Sequence, residues 1–360
     1  MNDAYNLFLE LSNKFTPNQL AEFLGVNRGT VLRWIDKKEV PSQYYFDLCR
    51  VANINVDYSN YSFKEKDQFF THKSTAIYCY NKTIEILNNF NVNIEEYTFI
   101  EPSVGEGSFY NLLPKNKRIG VDIEPRCEGT FKHNFLDWYP KTDKNICIGN
   151  PPFGLRGNLA LKFINHAEQF SDFICFILPQ LFNSSGKGSC KSRVKGLNLI
   201  HNEIINSSFY YPDGEEVFVN VVFQIWSKHF KIEEFTINLD NIIKLYSLSD
   251  GGTPGSTRNK KHLYSCDYYL PSTCFGENNI KIYSKFEDLP HRRGYGVISL
   301  IEKSILDKIM SSINWSSVSF RSTNGAYNLR FDLIKKEIWR LIPEKYKNKT
   351  CIYNSYDLKQ

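Results

Sequence analysis

The feature that most constrains the fold is an alternation, across the middle of the chain, of short apolar segments with helical or loop stretches. Five of these segments have the length of strands and are rich in branched or aromatic side chains: residues 98–100, 118–121, 145–148, 172–178 and 219–226. Strands that alternate with such connections are typical of a largely parallel, doubly wound sheet. The sequence therefore predicts an α/β domain over residues 59–229.

Length and composition limit the class of protein. The 360 residues, of which 42% are hydrophobic, exceed one average domain, so two or three domains are expected. The chain shows no apolar run of about 18 residues and no basic-then-apolar leader, which predicts a cytoplasmic protein with no membrane partner. Its nine cysteines include no closely spaced pair, so we expect reduced thiols and no metal site.

Residues 1–58 predict an all-α domain. Thr16 and Pro17 suit the start of one helix, and a second helix is expected from Asn27 to Lys37. Ala21, Gly25 and Val31 stand where a helix-turn-helix needs a small residue, a turn glycine and a buried branched residue, and the segment resembles phage-repressor domains. The second helix would then present four side chains to DNA, with Trp34 and Ile35 packed inward: Asn27, Arg28, Thr30 and Arg33. A helical bundle used for packing or dimerisation is the alternative.

A glycine loop follows the first apolar strand. Gly105 and Gly107 lie in residues 101–109, which precede a helix-like stretch, and glycine lets backbone approach a ligand closely. The next strand ends at Asp122, and an acid there can accept hydrogen bonds from ribose hydroxyls. An ordinary tight turn is the alternative, and the three-glycine signature of dinucleotide sites is absent. The loop resembles that of the amino-group DNA methyltransferases, which implies S-adenosylmethionine as cofactor.

A second loop, after residues 145–148, carries residue types suited to one reaction. The lone pair of an aromatic exocyclic amine is delocalised into its ring, so acceptors that bind its N–H groups make the nitrogen a better nucleophile. The Asn150 side chain and the Pro151 carbonyl are such acceptors, and a flipped base can stack on Phe153. The predicted catalytic residues are Asn150, Pro151, Pro152 and Phe153. A proline loop with a core phenylalanine is the alternative.

The resemblance to amino-group DNA methyltransferases extends from Asp67 to about Trp226 and implies a Rossmann-like methyltransferase sheet. It implies that Asn134 and Phe135 contact the adenine of the cofactor, although the family usually has an acid at the position of Asn134 and Asp137 is an alternative. It implies Tyr211 as the second aromatic on the flipped base, with Phe218 as a rival. The cofactor-binding residues that it implies are Phe70, Thr71, Glu101, Pro102, Gly105, Gly107, Asp122, Ile123, Asn134, Phe135 and Asn150.

Motif order narrows the class of methyltransferase. The cofactor loop precedes the catalytic loop, and only residues 139–149 separate the third-strand motif from the catalytic loop. That gap cannot hold a target-recognition domain, so recognition is expected from an α+β domain over residues 230–360. This order resembles the gamma arrangement of N6-adenine methyltransferases.

Loops like the catalytic one also occur in enzymes that resemble release-factor glutamine and ribosomal RNA methyltransferases, so the substrate depends on other features. The repressor-like segment favours double-stranded DNA. Residues 320–330 mix aromatic side chains with side chains that read bases, which makes them a candidate for direct readout. Basic side chains in loops are further candidates for phosphate contacts: Lys187, Lys191, Arg193, Arg258, Arg292 and Arg293.

The leading interpretation is a site-specific N6-adenine DNA methyltransferase of a restriction-modification or phage modification system. A separate restriction endonuclease as partner and the oligomeric state stay open. Three alternatives remain: a cytosine-N4 DNA methyltransferase, an RNA or protein amine methyltransferase, and a transcription regulator whose methyltransferase fold senses the cofactor. Intact residues 150–153 argue against the last of these.

Overall fold

The computed structural model describes residues 3–63, 65–66, 68–184, 189–205, 208–232, 236–251, 257–321, 325–347 and 351–352. Two sequence candidates fall outside these residues: Lys187, and residues 322–324 of the readout stretch. No helix among the described residues has the length and apolar character needed to cross a lipid bilayer.

The N-terminal segment is helical. Its helices are α1 (Asp3–Ser12), α2 (Pro17–Phe23), α3 (Arg28–Lys37) and α4 (Tyr45–Val51). The Thr16 side chain caps α2 and Gln19 reciprocates, so the predicted start of this helix is confirmed. Gly25 forms the turn between α2 and α3 with φ of +64°, while Ala21 and Val31 are buried in the core of the segment. Left-handed φ favours glycine, which explains Gly25 at this turn.

The central segment is a mixed α/β domain. Its elements are β1 (Phe70–Thr71), α5 (Lys73–Asn89), β2 (Thr98–Glu101), β3 (Arg118–Asp122), β4 (Thr130–Lys132), β5 (Asn145–Gly149), α6 (Asn158–Ala167), β6 (Phe173–Pro179), β7 (Asn198–Ile205), β8 (Ser208–Tyr210), β9 (Glu216–Phe218) and β10 (Val221–Ser227). Seven strands form one sheet in the order β4-β3-β2-β5-β6-β10-β7. Every residue of β5, β6 and β10 is buried, which explains why these strands consist mostly of apolar residues.

The predicted largely parallel sheet is confirmed, and it also contains two antiparallel pairings that were not predicted. Strands β4, β3, β2, β5 and β6 pair in parallel, whereas β10 is antiparallel to both β6 and β7. The prediction of a helix-like stretch after the glycine loop is wrong, because the loop leads only to a 3-10 turn, Tyr110–Leu112. The glycine loop therefore has no helix N-terminus behind it.

The C-terminal segment combines helices with antiparallel strands. Its elements are β11 (Thr236–Ile237), β12 (Ile243–Ser249), β13 (Tyr268–Pro271), β14 (Thr273–Cys274), β15 (Arg293–Ser299), α7 (Lys303–Ser312), α8 (Trp315–Val318), β16 (Phe320–Arg321), β17 (Tyr327–Asn328), α9 (Phe331–Leu341), α10 (Glu344–Lys347) and β18 (Cys351–Ile352). Two small antiparallel sheets, β12-β15-β13 and β14-β17-β16, share one hydrophobic cluster with α7 and α9, and β12 and β13 also contribute to a smaller cluster. The strand β16 lies against the turn Gln180–Asn183 at the end of β6.

Candidate cofactor and catalytic cleft

A cleft opens at the carboxyl ends of β2, β3 and β5. The chain passes from β2 to β3 and β4 on one side and returns to β5 on the other, so strand order reverses between β2 and β5. Ligands bind at such switch points in open α/β sheets. The cleft encloses about 990 Å³ of empty space, which includes space open to solvent.

The glycine loop and the tip of β3 are joined by hydrogen bonds. Asp122 accepts one from the backbone N–H of Gly105 and one from that of Glu124, both at 2.8 Å. Gly105 has φ of +52°, and a Cβ there would lie 2.9 Å from the Phe70 ring. Gly105 of the loop lines the cleft together with Phe70 of β1 and Asp122 at the end of β3. Ile123, the next residue after Asp122, also lines it.

Gly107 does not line this cleft. A Cβ at Gly107 would lie 2.7 Å from the Asn111 side chain and 2.8 Å from Cys127 Sγ. Gly107 was predicted to contact the cofactor, but its position instead allows close packing within the loop. Pro102 does line the cleft.

The catalytic loop is tied to β1 and to the glycine loop. The Asn150 side-chain N–H donates to Thr71 Oγ1 at 3.1 Å, and Ser103 Oγ donates to the Asn150 carbonyl at 3.1 Å. The Asn150 Oδ1 atom is buried and has no hydrogen-bond partner among the described residues. Pro151 and Pro152 line the cleft beside it. A buried acceptor without a partner is unusual and indicates a place for a ligand donor.

Phe153 does not have the exposed ring face expected of it. Its side chain is 3% exposed, and its ring lies edge-on to Phe69 with 5.2 Å between ring centroids. The ring belongs to the hydrophobic core of the sheet, as in the alternative interpretation of this loop. In this conformation a base cannot stack on Phe153.

Glu101 is the most deeply buried acid of the cleft region. Its side chain is 2% exposed, and Oε2 has no hydrogen-bond partner among the described residues. Burial raises the pKa of Glu101 well above its ordinary value, opposed by a hydrogen bond from the backbone of Tyr110. Burial likewise raises the pKa of Asp122, opposed by its two backbone hydrogen bonds. Glu101 lines a smaller pocket that shares Phe70, Gly105 and Asn150 with the cleft, whereas Asp122 lines the cleft itself. Each compartment thus has a desolvated carboxyl group suited to a cationic ligand.

The third-strand motif reaches the cleft through Asn134 and Phe135. Asn134 Oδ1 accepts from the Leu136 backbone N–H at 3.2 Å, and its Nδ2 donates to Asp137 at 2.6 Å. Asn134 lines the cleft and Asp137 does not, so Asn134 is the better placed of the two candidates to contact a ligand there. The Phe135 ring is buried and stacks on Phe163 with 5.1 Å between ring centroids.

The two candidates for the second aromatic differ in exposure. The Tyr211 ring is half-buried and packs on Phe63 with 5.1 Å between ring centroids. The Phe218 side chain is 82% exposed, the highest value among the large hydrophobic side chains of the described residues. Phe218 lies on β9, which pairs with β8, and β8 pairs with β1 at Phe70 and Thr71.

Sequence reasoning missed several residues of the cleft. The missed acid Glu124 forms an ion pair with Lys66, with 2.8 Å between Nζ and Oε2. Three more wall residues come from the N-terminal segment: Phe46, Arg50 and Tyr58. Glu124 could have been found from sequence, because it lies two residues after Asp122. Phe46 and Arg50 could not, because they have the pattern of ordinary residues in an amphipathic helix.

On α3, the side chains of Arg28 and Arg33 are exposed and Thr30 is half-buried, and Asn27 is exposed at the N-cap of this helix. Trp34 is buried as predicted, but Ile35 is 40% exposed, so its expected inward packing is wrong. The buried face of α3 follows Val31 and Trp34, three residues apart, and Ile35 falls outside this stripe.

The other basic candidates differ in accessibility. Arg193 is half-buried and donates to Asn158 Oδ1 at 3.2 Å, which fastens its loop to α6; neighbouring Lys191 is also half-buried. Arg292 pairs with Asp250 at 2.7 Å. Arg258 and Arg293 are exposed, and both pair with Ser249 through the backbone. The structure therefore brings Arg258, Arg292 and Arg293 together at one end of β12.

The readout stretch is more buried than expected. Phe320 and Tyr327 are each 6% exposed. Arg321 is exposed and donates to the Tyr327 hydroxyl at 2.7 Å. Its backbone N–H donates to Gln180 Oε1 of the central α/β domain. Of the described residues in this stretch, Arg321 and half-buried Arg330 keep charged groups near solvent.

The eight cysteines whose side chains are described carry free thiols. No group of three or more His, Cys, Asp or Glu side chains within the described part of the chain is arranged to hold a metal ion.

No protein-family model matches the chain, and no curated protein matches it. Among solved structures, the chain is similar to the type IIL restriction-modification enzyme MmeI in complex with DNA, with a TM-score of 0.41, 9% identity, and coverage of 81% of this chain and 72% of that one. It is similar to PH1948 of Pyrococcus horikoshii, described as an RNA methyltransferase, with a TM-score of 0.34, 19% identity, and coverage of 45% and 87%. Magnesium protoporphyrin IX methyltransferase of Synechocystis PCC 6803 with bound S-adenosylmethionine gives a TM-score of 0.30, 12% identity, and coverage of 43% and 79%. These scores are low, so the function proposed below depends on the residues of the cleft.

Proposed function

We propose that the chain is an S-adenosylmethionine-dependent methyltransferase that acts on the exocyclic N6 of adenine in DNA. The observation that carries this proposal is the Asn150 side chain, whose Nδ2 is anchored on Thr71 while its buried Oδ1 has no partner among the described residues. An acceptor held in this way suits an aromatic amine, which must be bound through its N–H groups to become nucleophilic.

The residues of the cleft fit the cofactor. When bound, S-adenosylmethionine supplies an electrophilic methyl group on a positively charged sulfonium. Buried Glu101, with its unpartnered Oε2, lines the smaller adjoining pocket and suits the cationic methionine end, and Phe70 and Gly105 form a wall that this pocket shares with the cleft. Asp122 and Ile123 at the tip of β3 suit the ribose and the adenine, and Asn134 with Phe135 close the far end.

The catalytic loop orients the acceptor amine. Asn150 Oδ1 accepts one N–H of the amine, and the rigid Pro151–Pro152 backbone fixes that oxygen, so little reorganisation accompanies the reaction. The Ser103 hydroxyl holds the Asn150 carbonyl and so fixes the catalytic loop relative to the glycine loop. Methyl transfer would leave S-adenosylhomocysteine as the other product and an extra proton on the amine nitrogen, which would pass to solvent water.

Glu101 gives a prediction about pH. Burial holds this carboxyl protonated to higher pH than usual, whereas a bound cation stabilises the carboxylate and lowers its pKa. S-adenosylmethionine binding should therefore release a proton and should tighten as pH rises between the pKa of the complex and the raised pKa of the free protein. Calorimetry in buffers of different ionisation enthalpy measures this release. Glu101→Gln should abolish it; unchanged proton release in that variant contradicts the assignment.

DNA as substrate is supported by the surface of the chain. The helix α3 exposes Arg28 and Arg33, and Asn27 is exposed at its N-cap. Arg258 and Arg293 form a second basic corner in the C-terminal segment, which follows the catalytic loop as a gamma arrangement requires. We propose that α3 binds duplex DNA and that residues 230–360 select the target sequence.

The direct test is sequencing of genomic DNA from cells that express the protein, with detection of modified bases and their context. N6-methyladenine at one recurring sequence, absent with Asn150→Ala, is the expected result. Methylation of cytosine N4 would move the substrate to the other exocyclic amine. DNA without any new modification, alongside methylated RNA or protein, would overturn DNA as the substrate.

Phe218 is the better candidate for stacking on the flipped base, because its ring is 82% exposed whereas Tyr211 packs on Phe63. Phe218→Ala should lower turnover on duplex DNA by about tenfold, since stacking of a base on an aromatic ring contributes roughly 1–3 kcal/mol. The fluorescence of 2-aminopurine placed at the target position of the DNA should also be lower with Phe218→Ala than with the wild-type protein. Phe131→Ala, which removes a 57% exposed ring from β4, is the matched control. A large effect of Tyr211→Ala with none of Phe218→Ala would reverse the assignment.

The arginines of α3 give a separate prediction for binding. If Arg28 or Arg33 meets a phosphate, its replacement by alanine should flatten the dependence of log affinity on log salt by about one unit. Titration of labelled duplex DNA at several salt concentrations measures this slope. Lys37→Ala, in the last turn of the same helix, is the control. Slopes equal to that of the wild type for both arginine variants would exclude phosphate contacts by α3.

A further inference from the structure

The cleft has a wall that does not belong to the α/β domain. Phe46 and Arg50 of α4, together with Tyr58, line the same cleft as Asp122 and Glu124. The Phe46 ring packs against Tyr58, with 5.5 Å between ring centroids. Burial raises the pKa of Tyr58, which lies within electrostatic range of both Arg50 and Glu124. This wall therefore stands opposite the tip of β3, at the end of the cleft suited to a nucleoside.

Ionic contacts hold the wall in place. Asp47 of α4 binds Lys162 of α6 at 3.0 Å and Arg50 at 2.9 Å. Burial lowers the pKa of Lys162 and Asp47 opposes this effect, so the pair is partly desolvated. Because Phe46 and Asp47 are adjacent, the residue that lines the cleft and the residue that anchors α4 are on the same helical turn.

Packing contacts fasten the rest of the N-terminal segment to the catalytic loop region. Leu155, just after the catalytic loop, packs into the hydrophobic cluster of residues 4–49. A Cβ at Gly25 would lie 3.0 Å from the Asn158 side chain at the start of α6. The Trp34 ring of α3 lies 4.7 Å from the ring of Tyr44, the residue before α4, measured between centroids. Both helices contribute buried side chains to one hydrophobic cluster, so they form one packed unit.

We propose that the N-terminal helical segment completes the nucleoside end of the cofactor site, through Phe46, Arg50 and Tyr58, so that cofactor occupancy and docking of this segment stabilise each other. This inference rests on the proposed function. The flat Phe46 and Tyr58 rings suit an adenine, and a ligand that touches both segments binds best when they are docked. By linkage, the docked segment tightens the cofactor by the same factor that the cofactor stabilises docking.

The test measures binding of S-adenosylmethionine and S-adenosylhomocysteine to the full-length protein by calorimetry. Phe46→Ala should weaken both by about tenfold, as expected for loss of an aromatic face. Phe46→Leu keeps apolar bulk without the flat ring and serves if the alanine variant does not fold. Controls from the same segment are Phe23→Ala, whose ring is 39% exposed on α2, and Lys14→Ala, which removes an exposed positive charge for comparison with Arg50→Ala.

A second measurement reports docking without any substitution in the cleft. Addition of S-adenosylhomocysteine should slow amide hydrogen exchange in α4, and Lys162→Met should weaken both this protection and cofactor binding. Affinities equal to wild type for Phe46→Ala and Arg50→Ala, while Asp122→Ala binds weakly, would overturn the inference alone. Absence of binding of either compound to the wild-type protein would overturn the proposed function and the inference together. Unchanged exchange in α4 on ligand addition would overturn the coupling.

Discussion

Asn150→Ala is expected to lower methyl transfer to duplex DNA by about a hundredfold or more while cofactor binding stays near that of the wild type. The Asn150 Oδ1 atom has no partner among the described residues, so its removal leaves no broken hydrogen bond at that oxygen in the free protein. Its loss is felt only when an amine occupies the site. Transfer of tritiated methyl groups under single-turnover conditions measures the effect.

The design separates loss of the acceptor from loss of loop structure. The Asn150 Nδ2 bond to Thr71 is also lost in Asn150→Ala, whereas Thr71→Val removes that bond and keeps the acceptor. Thr71→Val should therefore cost less than Asn150→Ala. Asn116 is an exposed asparagine before β3, so Asn116→Ala controls for the loss of an asparagine side chain away from the cleft. Near-normal turnover of a folded Asn150→Ala protein would defeat the mechanism.

The strands that could be predicted from sequence are those whose position in the sheet leaves a simple pattern. Strands β5, β6 and β10 are buried on both faces, so each is mostly apolar, with Gln224 as a buried polar residue inside β10. Strand β4 has three residues and exposes Phe131, and edge strand β7 carries His201, Asn202 and Glu203 among its apolar residues. Neither offers a continuous apolar signal. The antiparallel direction of β10 depends on the connection through β8 and β9, which local pattern does not encode.

The site could be predicted where its residues are contiguous in sequence, as in the glycine loop and the catalytic loop. Contacts between distant segments could not be. The Phe153 ring is buried because Phe69 packs against it, and nothing near residue 153 indicates that partner. Phe46 and Arg50 enter the cleft because Asp47 pairs with Lys162, more than one hundred residues later in the chain. An acid-base pair so distant in sequence leaves no local signature.

Asp122→Ala is expected to weaken S-adenosylmethionine binding by roughly 1–3 kcal/mol, or about five- to 150-fold, the range for loss of a charge-assisted hydrogen bond. Two effects act in the same direction. The ribose loses an acceptor, and the backbone N–H groups of Gly105 and Glu124 lose the carboxylate that holds the glycine loop to β3. Calorimetry gives the affinity, and thermal unfolding of the free variant shows whether the fold is intact.

The neighbouring acid decides whether Asp122 itself meets the ribose. Both Glu124 carboxylate oxygens lie within 3.2 Å of Lys66 Nζ, whereas the two Asp122 oxygens bind neutral backbone donors and keep lone pairs for hydroxyl groups. Glu124→Gln should therefore weaken cofactor binding much less than Asp122→Ala. Asp122→Asn, which keeps the size of the side chain, should also bind weakly, since its amide N–H₂ opposes one of the backbone donors. If Glu124→Gln proves the more damaging change, the ribose is bound by Glu124, and Asp122 serves only to hold the glycine loop.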